Sequence, residues 1–367
     1  MADAVSPSAP CPNCEVLPGH ISGPGTLYLW CPLGHSRKKL AERAGEGGYA
    51  IDNRPDLGAI AVTLADGVPE AFAEWMRPVF SQMELGETKA LFLPPETDPG
   101  AAHIGQVKSL GEWLAAARSG WLLDLLHEER VETHYQPIVE AADPRRIYAY
   151  EALLRGRQRD GGFIGGGPIF GLASEADLLF QVDLAARRSA VRNFQPAGLG
   201  PDRRVFINFT PTSIYDPAYC LRTTFQAVHE AGIRPEQVVF EVVESEEVND
   251  LDTLVRTLEQ YREAGFGVAL DDLGSGFASL NLLHTLKPDF VKLDMGLIQG
   301  VDGDTHKAAI ASKLLEAADS MGSRTVAEGV ERMEELHWLR DNGADLLQGF
   351  LFARPAAQPP QEGPSLL

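Results

Sequence analysis

Residues 133–350 predict an α/β chain whose main body is a closed (β/α)8, TIM-like barrel. Three observations carry that expectation. Short apolar runs recur eight times, amphipathic helical stretches separate most of them, and polar side chains collect at the C-terminal ends of the runs. The expected strands are "THYQPIV" (133–139), "IYAYEALL" (147–154), "VFINF" (205–209), "VVFEVVE" (238–244), "FGVAL" (266–270), "FVKLD" (290–294), "RTVAE" (324–328) and "ADLLQGF" (344–350). Stretches such as "LDTLVRTLEQYREAG" and "AAIASKLLEAADSMG" supply the intervening helices. A doubly wound open sheet is the alternative, but eight near-equal units favour closure.

Ahead of the barrel the pattern changes. "CPNC" and "WCPLGH" place Cys11, Cys14, Cys31 and His35 on turn-forming sequence, with His20 as a competing fourth ligand. This spacing resembles half of a zinc ribbon or knuckle, where tetrahedral Zn²⁺ replaces a core too small to fold unaided. A loose tail with reduced thiols is the plainer reading. Residues 1–48 are therefore expected to be a zinc-binding segment and 49–110 a small α/β regulatory or dimerisation region. In the latter, "AIAVTL" (59–64) and "KALFLP" (89–94) are strands, and "PEAFAEWMRPVF" (69–80) is an amphipathic helix opened by Pro69. "PPETDPGAAHIG" is expected to act as a linker. A helix over 110–129 leads into the barrel, expected to span 111–358.

Composition narrows the function classes. Hydrophobic residues make up 44% and charged residues 23%, ordinary for a soluble globular protein. No apolar stretch approaches the ~20 residues of a membrane span, and "MADAVSPSAP" has neither the basic start nor the apolar core of a secretory signal. A cytoplasmic location is expected. The net charge of −20, from 32 Lys+Arg against 52 Asp+Glu, disfavours duplex nucleic acid as a partner. It leaves room for a small phosphate ligand bridged to acidic groups by cations.

The strand ends carry Glu151, Asn208, Glu241 with Glu244, Asp271 with Asp272, Lys292 with Asp294, Glu328 and Gln348. Functional groups of such barrels sit at this end. So many carboxylates would be a costly way to build a structural core, whereas convergence on hard cations would compensate them. Adjacent Asp271 and Asp272 pose the question most sharply, because two aspartates entering a buried region repel each other. A divalent cation between them is one answer. An Asp pair capping the following turn is the other.

Taken in order, "YQPIV", "YEALLRG", "FINFTP", "FEVVESEEV", "ALDDLGSGFASL", "LKPDFVKLD", "TVAEGVE" and "LLQGFLFARP" give residues 130–356 a close resemblance to the EAL domain, the family of cyclic di-GMP phosphodiesterases. The resemblance implies the same barrel with one strand running against the others. It implies metal ligation by Glu151, Asn208, Glu241, Asp271, Asp272 and Glu328, the Asp pair being shared by two Mg²⁺ or Mn²⁺ ions. It further implies that Lys292 stands beside the hydrolytic water, that Arg155 binds phosphate, and that Gln136, Gln348 and Asp294 contact substrate or metal-bound water. Catalysis would rest on Lys292, Glu328, Asp272 and Glu151. "LGSGFASL" matches the family's mobile loop, with Glu244 as its anchor; a tight strand-to-helix turn and a surface ion pair are the plainer readings of these two features.

The expected reaction is hydrolysis of cyclic di-GMP to linear pGpG. A receptor or protein-interaction module that has lost catalysis is the alternative. Homodimerisation is also implied. Two departures from the family stand out: Val243 replaces a threonine, and "DGGFIGGGPIFGLASEADLLF" (160–180) is unusually glycine-rich where the family's lead-in to the second helix carries proline. No "GGDEF"-like segment is present, so cyclase activity is not expected.

Overall fold

The computed structural model describes residues 17, 22–210, 217–243, 251–274 and 279–366. The chain divides into two compact units, residues 1–130 with 167–182 and residues 131–166 with 183–367.

The first unit contains β1 (Gly25–Trp30), α1 (Gly34–Gly47), β2 (Ala50–Arg54), β3 (Ala59–Leu64), α2 (Glu70–Met76), α3 (Gln82–Glu87), β4 (Lys89–Leu93), β5 (Lys108–Ser109), α4 (Leu110–Arg118) and α5 (Gly120–His127). Its sheet has the order β2-β3-β1-β4-β5 with antiparallel pairing throughout, a ferredoxin-like arrangement with α1 and α2 as crossovers. Alternating strand residues feed two apolar layers. Leu27, Leu29, Ile60 and Val62 pack with Leu40, Phe72 and Met76 from the helices, and Tyr28, Ala61, Leu91 and Leu93 form the second layer.

Three sequence expectations change here. Because β1 pairs with both β3 and β4, residues 25–30 share a sheet with the 49–110 region, and no boundary falls at 48. The zinc ribbon is not supported. Cys31 is a buried member of the apolar layer and His35 lies 3.0 Å from Glu84 Oε1, so this segment owns the core that zinc would have replaced. Cys11, Cys14 and His20 lie outside the described residues. The proline-rich stretch is no linker: Tyr28 donates its hydroxyl to Thr97 O and Asp98 Oδ1, both at 3.1 Å, and the chain returns to the sheet as β5.

Glu84 is the polar hub of this unit. Its buried carboxylate accepts from the Ser81 amide at 2.9 Å, Ser36 Oγ at 2.7 Å and Lys39 Nζ at 2.9 Å. Those donors hold its pKa well below the usual carboxylate range. Ser81 and Glu84 also form a capping box at the start of α3. The helix expected over 69–80 stops at Met76, since Pro78 removes an amide donor and a short 3₁₀ turn follows.

In the second unit β6 (Val131–Glu140), β7 (Ile147–Arg157) and β8 (Phe163–Gly165) are followed by α6 (Gly166–Glu175), which falls in the first unit, and α7 (Leu179–Arg192). The chain continues through β9 (Arg204–Phe209), α8 (Pro217–Glu230), β10 (Val238–Val243), α9 (Leu251–Glu263), β11 (Gly267–Leu273) and α10 (Ser279–Leu286). It ends with β12 (Phe290–Leu293), α11 (Met295–Ile298), α12 (Thr305–Met321), β13 (Arg324–Ala327), α13 (Met333–Asp341) and β14 (Leu346–Gln348). The sheet order β6-β14-β13-β12-β11-β10-β9-β7, with β6 also pairing β7, closes the barrel. Strand β6 is antiparallel to both neighbours, while the other barrel pairings are parallel.

Inside the barrel, Ile138, Ala149, Phe206, Val239, Ala269, Phe290, Val326 and Leu346 fill one apolar layer. Residues two positions further along the parallel strands are the polar ones. Between strands and helices a larger core includes the aromatic group Phe209, Phe240, Tyr261 and Phe266, whose ring centroids are 4.8–5.8 Å apart among the contacting pairs. The floor layer and this outer core fix the strands that carry the site. Among the described residues no helix is long and apolar enough to cross a membrane.

Candidate active site

Register brings the expected side chains together. Asn208 on β9 pairs with Glu241 on β10, Glu241 with Ala269 on β11, and Glu151 on β7 with Gln136 on β6. Lys292 comes from β12, Gln348 from β14, and Glu328 directly follows β13.

At the centre is the Lys292 ammonium, 1% exposed. Its Nζ lies 2.6 Å from Glu328 Oε1, 2.7 Å from Glu241 Oε1, 3.1 Å from Asp271 Oδ1 and 3.8 Å from Glu151 Oε1. Burial works against this charge, yet Asp271, Glu151, Glu241 and Glu328 together hold its pKa well above that of an ordinary lysine. For Glu241 the balance falls the other way. Complete burial, with Glu151 and Asp271 adding to it, pushes its carboxyl well above the usual range despite the pull of Lys292. Burial raises Glu328 to about 8 and, with the adjacent charge of Asp271, raises Asp272 to about 6.

Amide side chains hold Glu151. Asn208 Nδ2 donates to its Oε1 at 3.3 Å and Gln348 Nε2 to its Oε2 at 2.6 Å. Gln348 Nε2 also reaches Gln136 Oε1 at 3.2 Å, and Gln136 Nε2 donates to Ala353 O at 3.2 Å. Asp294 accepts from the Gly296 amide at 2.9 Å and so caps α11.

The Asp pair is explained by backbone geometry. Neighbouring residues in a regular strand point to opposite faces. A register irregularity between Leu270 and Leu273 breaks that alternation, and Asp272 takes φ +59°, a left-handed conformation that aspartate tolerates better than most residues. The Asp272 amide donates to Asp271 Oδ1 at 3.0 Å. Each of Asp271, Asp272 and Glu328 thereby offers an oxygen within 4.8 Å of the others, and among the described residues this is the one cluster of acids, histidines or cysteines able to hold a metal ion.

The donor set fits a hard divalent cation. All its ligand atoms are oxygens, as Mg²⁺ and Mn²⁺ prefer. Two buried atoms also lack a hydrogen-bond partner, Glu241 Oε2 and Gln348 Oε1. Glu241 Oε1, although 2.7 Å from the ammonium, does not meet it in hydrogen-bonding alignment. Buried carboxylate oxygens without donors are costly in a metal-free site and satisfied in a loaded one.

Sequence reasoning took Lys292 for the lysine beside the hydrolytic water; it did not foresee that the same ammonium is the counter-charge of four carboxylates. It missed Asp183 and Arg187 altogether. These α7 residues form a buried ion pair at 2.7 Å, and Asp183 Oδ1 accepts from the Thr210 amide at 3.4 Å, two residues beyond Asn208. Their i, i+4 spacing was visible, but nothing in the sequence distinguished a buried pair from a solvated one. Glu244, Val243's side chain and the middle of "LGSGFASL" lie outside what the structure describes.

Comparison with known proteins agrees with this arrangement. The EAL domain profile matches residues 119–355. Over 236 residues, 64% of this chain, the sequence is 32% identical to the cyclic di-GMP phosphodiesterase NbdA of Pseudomonas aeruginosa, covering 30% of that protein. It is 31% identical over 232 residues, 60% of this chain, to the probable cyclic di-GMP phosphodiesterase PdeG of Escherichia coli, covering 44% of it. The chain thus spans less than half the length of either curated relative. Among solved structures, a standalone EAL protein from Vibrio cholerae in its c-di-GMP-bound form superposes with a TM-score of 0.57 at 34% identity, over 64% of this chain and 96% of that one. The PaMucR phosphodiesterase in complex with c-di-GMP gives 0.58 at 30% identity, over 64% and 95%. With more than half of its length matched by the family profile and a closed barrel carrying the acid cluster, the chain belongs to the EAL domain family.

Proposed function

We propose that the protein hydrolyses one phosphodiester bond of cyclic di-GMP to give linear pGpG, in a reaction that depends on two divalent ions, Mg²⁺ or Mn²⁺, and serves second-messenger signalling. One observation carries this reading. Glu151, Asn208, Glu241, Asp271, Asp272 and Glu328, with Lys292, meet at one end of the barrel with partnerless buried oxygens among them.

Glu151, Asn208, Glu241, Asp271, Asp272 and Glu328 would hold the ions. When bound, such ions supply Lewis acidity toward a phosphoryl oxygen and water of lowered pKa. The chain's own side chains do the rest. Lys292, permanently charged in this setting, orients the attacking water and stabilises negative charge as it develops. Glu328 and Asp272, which the ions would keep in their charged forms, are placed to orient or accept a proton from that water. Gln348 fixes the rotamer of Glu151, and Arg155 offers a planar fork to a phosphate. Gln136 and Asp294 complete the substrate contacts, and Glu244 anchors the loop. Homodimerisation, common in the family, belongs to the same proposal and is read by light scattering.

Chromatography of cyclic di-GMP incubated with protein and Mg²⁺ or Mn²⁺ tests the reading, beside an Asp271→Asn variant and a chelated sample. The expected result is pGpG in the first sample alone. Intact nucleotide together with tight binding would make the protein a receptor.

A further inference from the structure

The face of β7 that carries Glu151 does not end at the barrel mouth. Alternation along the strand places Leu153, Arg155 and Arg157 on the same face, and exposure rises from buried Glu151 through half-buried Leu153 and Arg155 to exposed Arg157. Register puts Gln136, His134 and Glu132 of β6 opposite Glu151, Leu153 and Arg155. It puts Gly165 and Phe163 of β8 opposite Arg155 and Arg157. The three antiparallel strands therefore make a ledge that leads outward from the acid cluster. Arg157 lies six positions beyond Glu151, about 20 Å at ~3.3 Å per residue.

The outer end of this ledge is built around an aromatic ring. Phe163 is 47% exposed. Its ring meets His134 edge-on at 5.0 Å, and the Arg157 guanidinium lies 6.0 Å from its centroid. Arg157 is in turn held by Glu132, its Nε donating to Oε2 at 3.0 Å. Burial and the nearby Arg155 charge keep His134 below its ordinary pKa, so it supports Phe163 as a neutral ring. A half-exposed ring, in T-shaped contact with one aromatic and with an ion-paired arginine over it, has the makings of a stacking platform that would hold a planar, electron-rich base in a cation-lined layer.

We propose that Phe163, braced by His134 and Arg157, stacks the nucleobase that lies farther from the acid cluster when a cyclic dinucleotide is bound, and so sets substrate specificity through KM rather than through the chemical step. This rests on the phosphodiesterase reading. A purine dinucleotide projects its bases away from the phosphodiester ring. A molecule whose scissile phosphate sits at Glu151 and whose other phosphate meets Arg155 carries one base toward Phe163. Glycine at 165 keeps the ledge low between the two, since an added Cβ there would project into open space.

Steady-state hydrolysis of cyclic di-GMP by wild type, Phe163→Ala and Phe163→Trp tests the proposal. Losing one stacked base raises KM roughly tenfold to a hundredfold. We expect that rise in Phe163→Ala with kcat within about twofold of wild type, and recovery of KM in Phe163→Trp. The indole of Phe163→Trp also reports binding directly, through fluorescence quenching that saturates with cyclic di-GMP in chelator, where no turnover occurs. An active wild type with an unchanged KM in Phe163→Ala overturns the stacking role and leaves the phosphodiesterase reading intact. A fall in kcat alone, or an unquenched indole in a protein that binds the nucleotide, overturns it equally. Wild type that neither binds nor hydrolyses cyclic di-GMP removes both.

Discussion

Replacing Lys292 by methionine keeps most of the side-chain volume and deletes the single ammonium facing Glu151, Glu241, Asp271 and Glu328. With separations of 2.6–3.8 Å, each attraction is about 4–6 kcal/mol at an effective dielectric near 20. Desolvation of the buried ions offsets most of that sum, and removing one partner of a buried pair costs about 3–5 kcal/mol net. For a domain of this size each kcal/mol lowers Tm by roughly 2–4 °C, so Lys292→Met should unfold about 6–20 °C earlier in chelator. The sign of its pH dependence is fixed. Without the ammonium the already raised pKa values of Glu241 and Glu328 rise further, and the folded state binds more protons than the unfolded one. Stability then falls as pH rises, and the deficit is larger near pH 8 than near pH 5. Adding Mn²⁺ should shrink the deficit, since a cation takes over the missing charge. Circular-dichroism melts of both proteins under these conditions provide the assay. A deficit below ~1 kcal/mol, or one indifferent to both pH and Mn²⁺, would refute the assignment of Lys292 as the counter-charge.

Four further outcomes are expected. Because Glu328 is raised from 4.5 to about 8 and Asp272 from 3.8 to about 6, metal-free protein should lose stability as pH climbs from about 4 to about 8; Mn²⁺ affinity should climb over the same range by up to tenfold per pH unit for each proton displaced, and calorimetry finding a flat profile there would exclude the coupling. Asp183→Asn weakens the partner of buried Arg187 and the acceptor for the Thr210 amide; it should cost about 2–5 kcal/mol in urea unfolding and lower metal affinity through Asn208, and a variant with normal stability would show the pair to be idle. Phe240→Ala opens the aromatic group between barrel and helices and should cost about 3–5 kcal/mol, read from the urea midpoint at unchanged m. Truncation after Pro355 deletes both backbone bonds between Tyr135 and Ala356, the Tyr150 hydroxyl bond to Pro360 O and the Gly363 bond to Arg145 O. At ~0.5–1.5 kcal/mol each, the loss should total about 2–6 kcal/mol, and an undiminished melt would show the tail to be dispensable.

The barrel was legible because its strands are short, apolar and separated by amphipathic helices, a period that tertiary context did not override. "AIAVTL" likewise became β3 over residues 59–64. The first unit was harder. Cysteine, proline and glycine around "WCPLGH" drew attention to metal ligation and hid β1, whose apolar alternation lies just upstream. Strand β2, "AIDNR", is a largely exposed edge with little apolar pattern to read. At the site, residue types and order announced an acidic centre. That Asp271 and Asp272 serve one cluster depended on a local break in register, and no single-sequence pattern encodes such a break.

The reversed direction of β6 has a consequence for how this protein tolerates change. Its link to β7 is a brief turn beneath the floor, residues 141–146, where the other barrel strands are joined through helices. Helical connections can absorb insertions, since the incoming strand is repositioned by packing. A ribbon joined by a tight turn cannot, because its alternation is locked to its partner. Deleting one residue at 138–140, between the ledge and the turn, would withdraw Glu132, His134 and Gln136 from the ledge and present Thr133, Tyr135 and Pro137 instead. Strand β6 is thus the place where a change of length, rather than of chemistry, would be least forgiven.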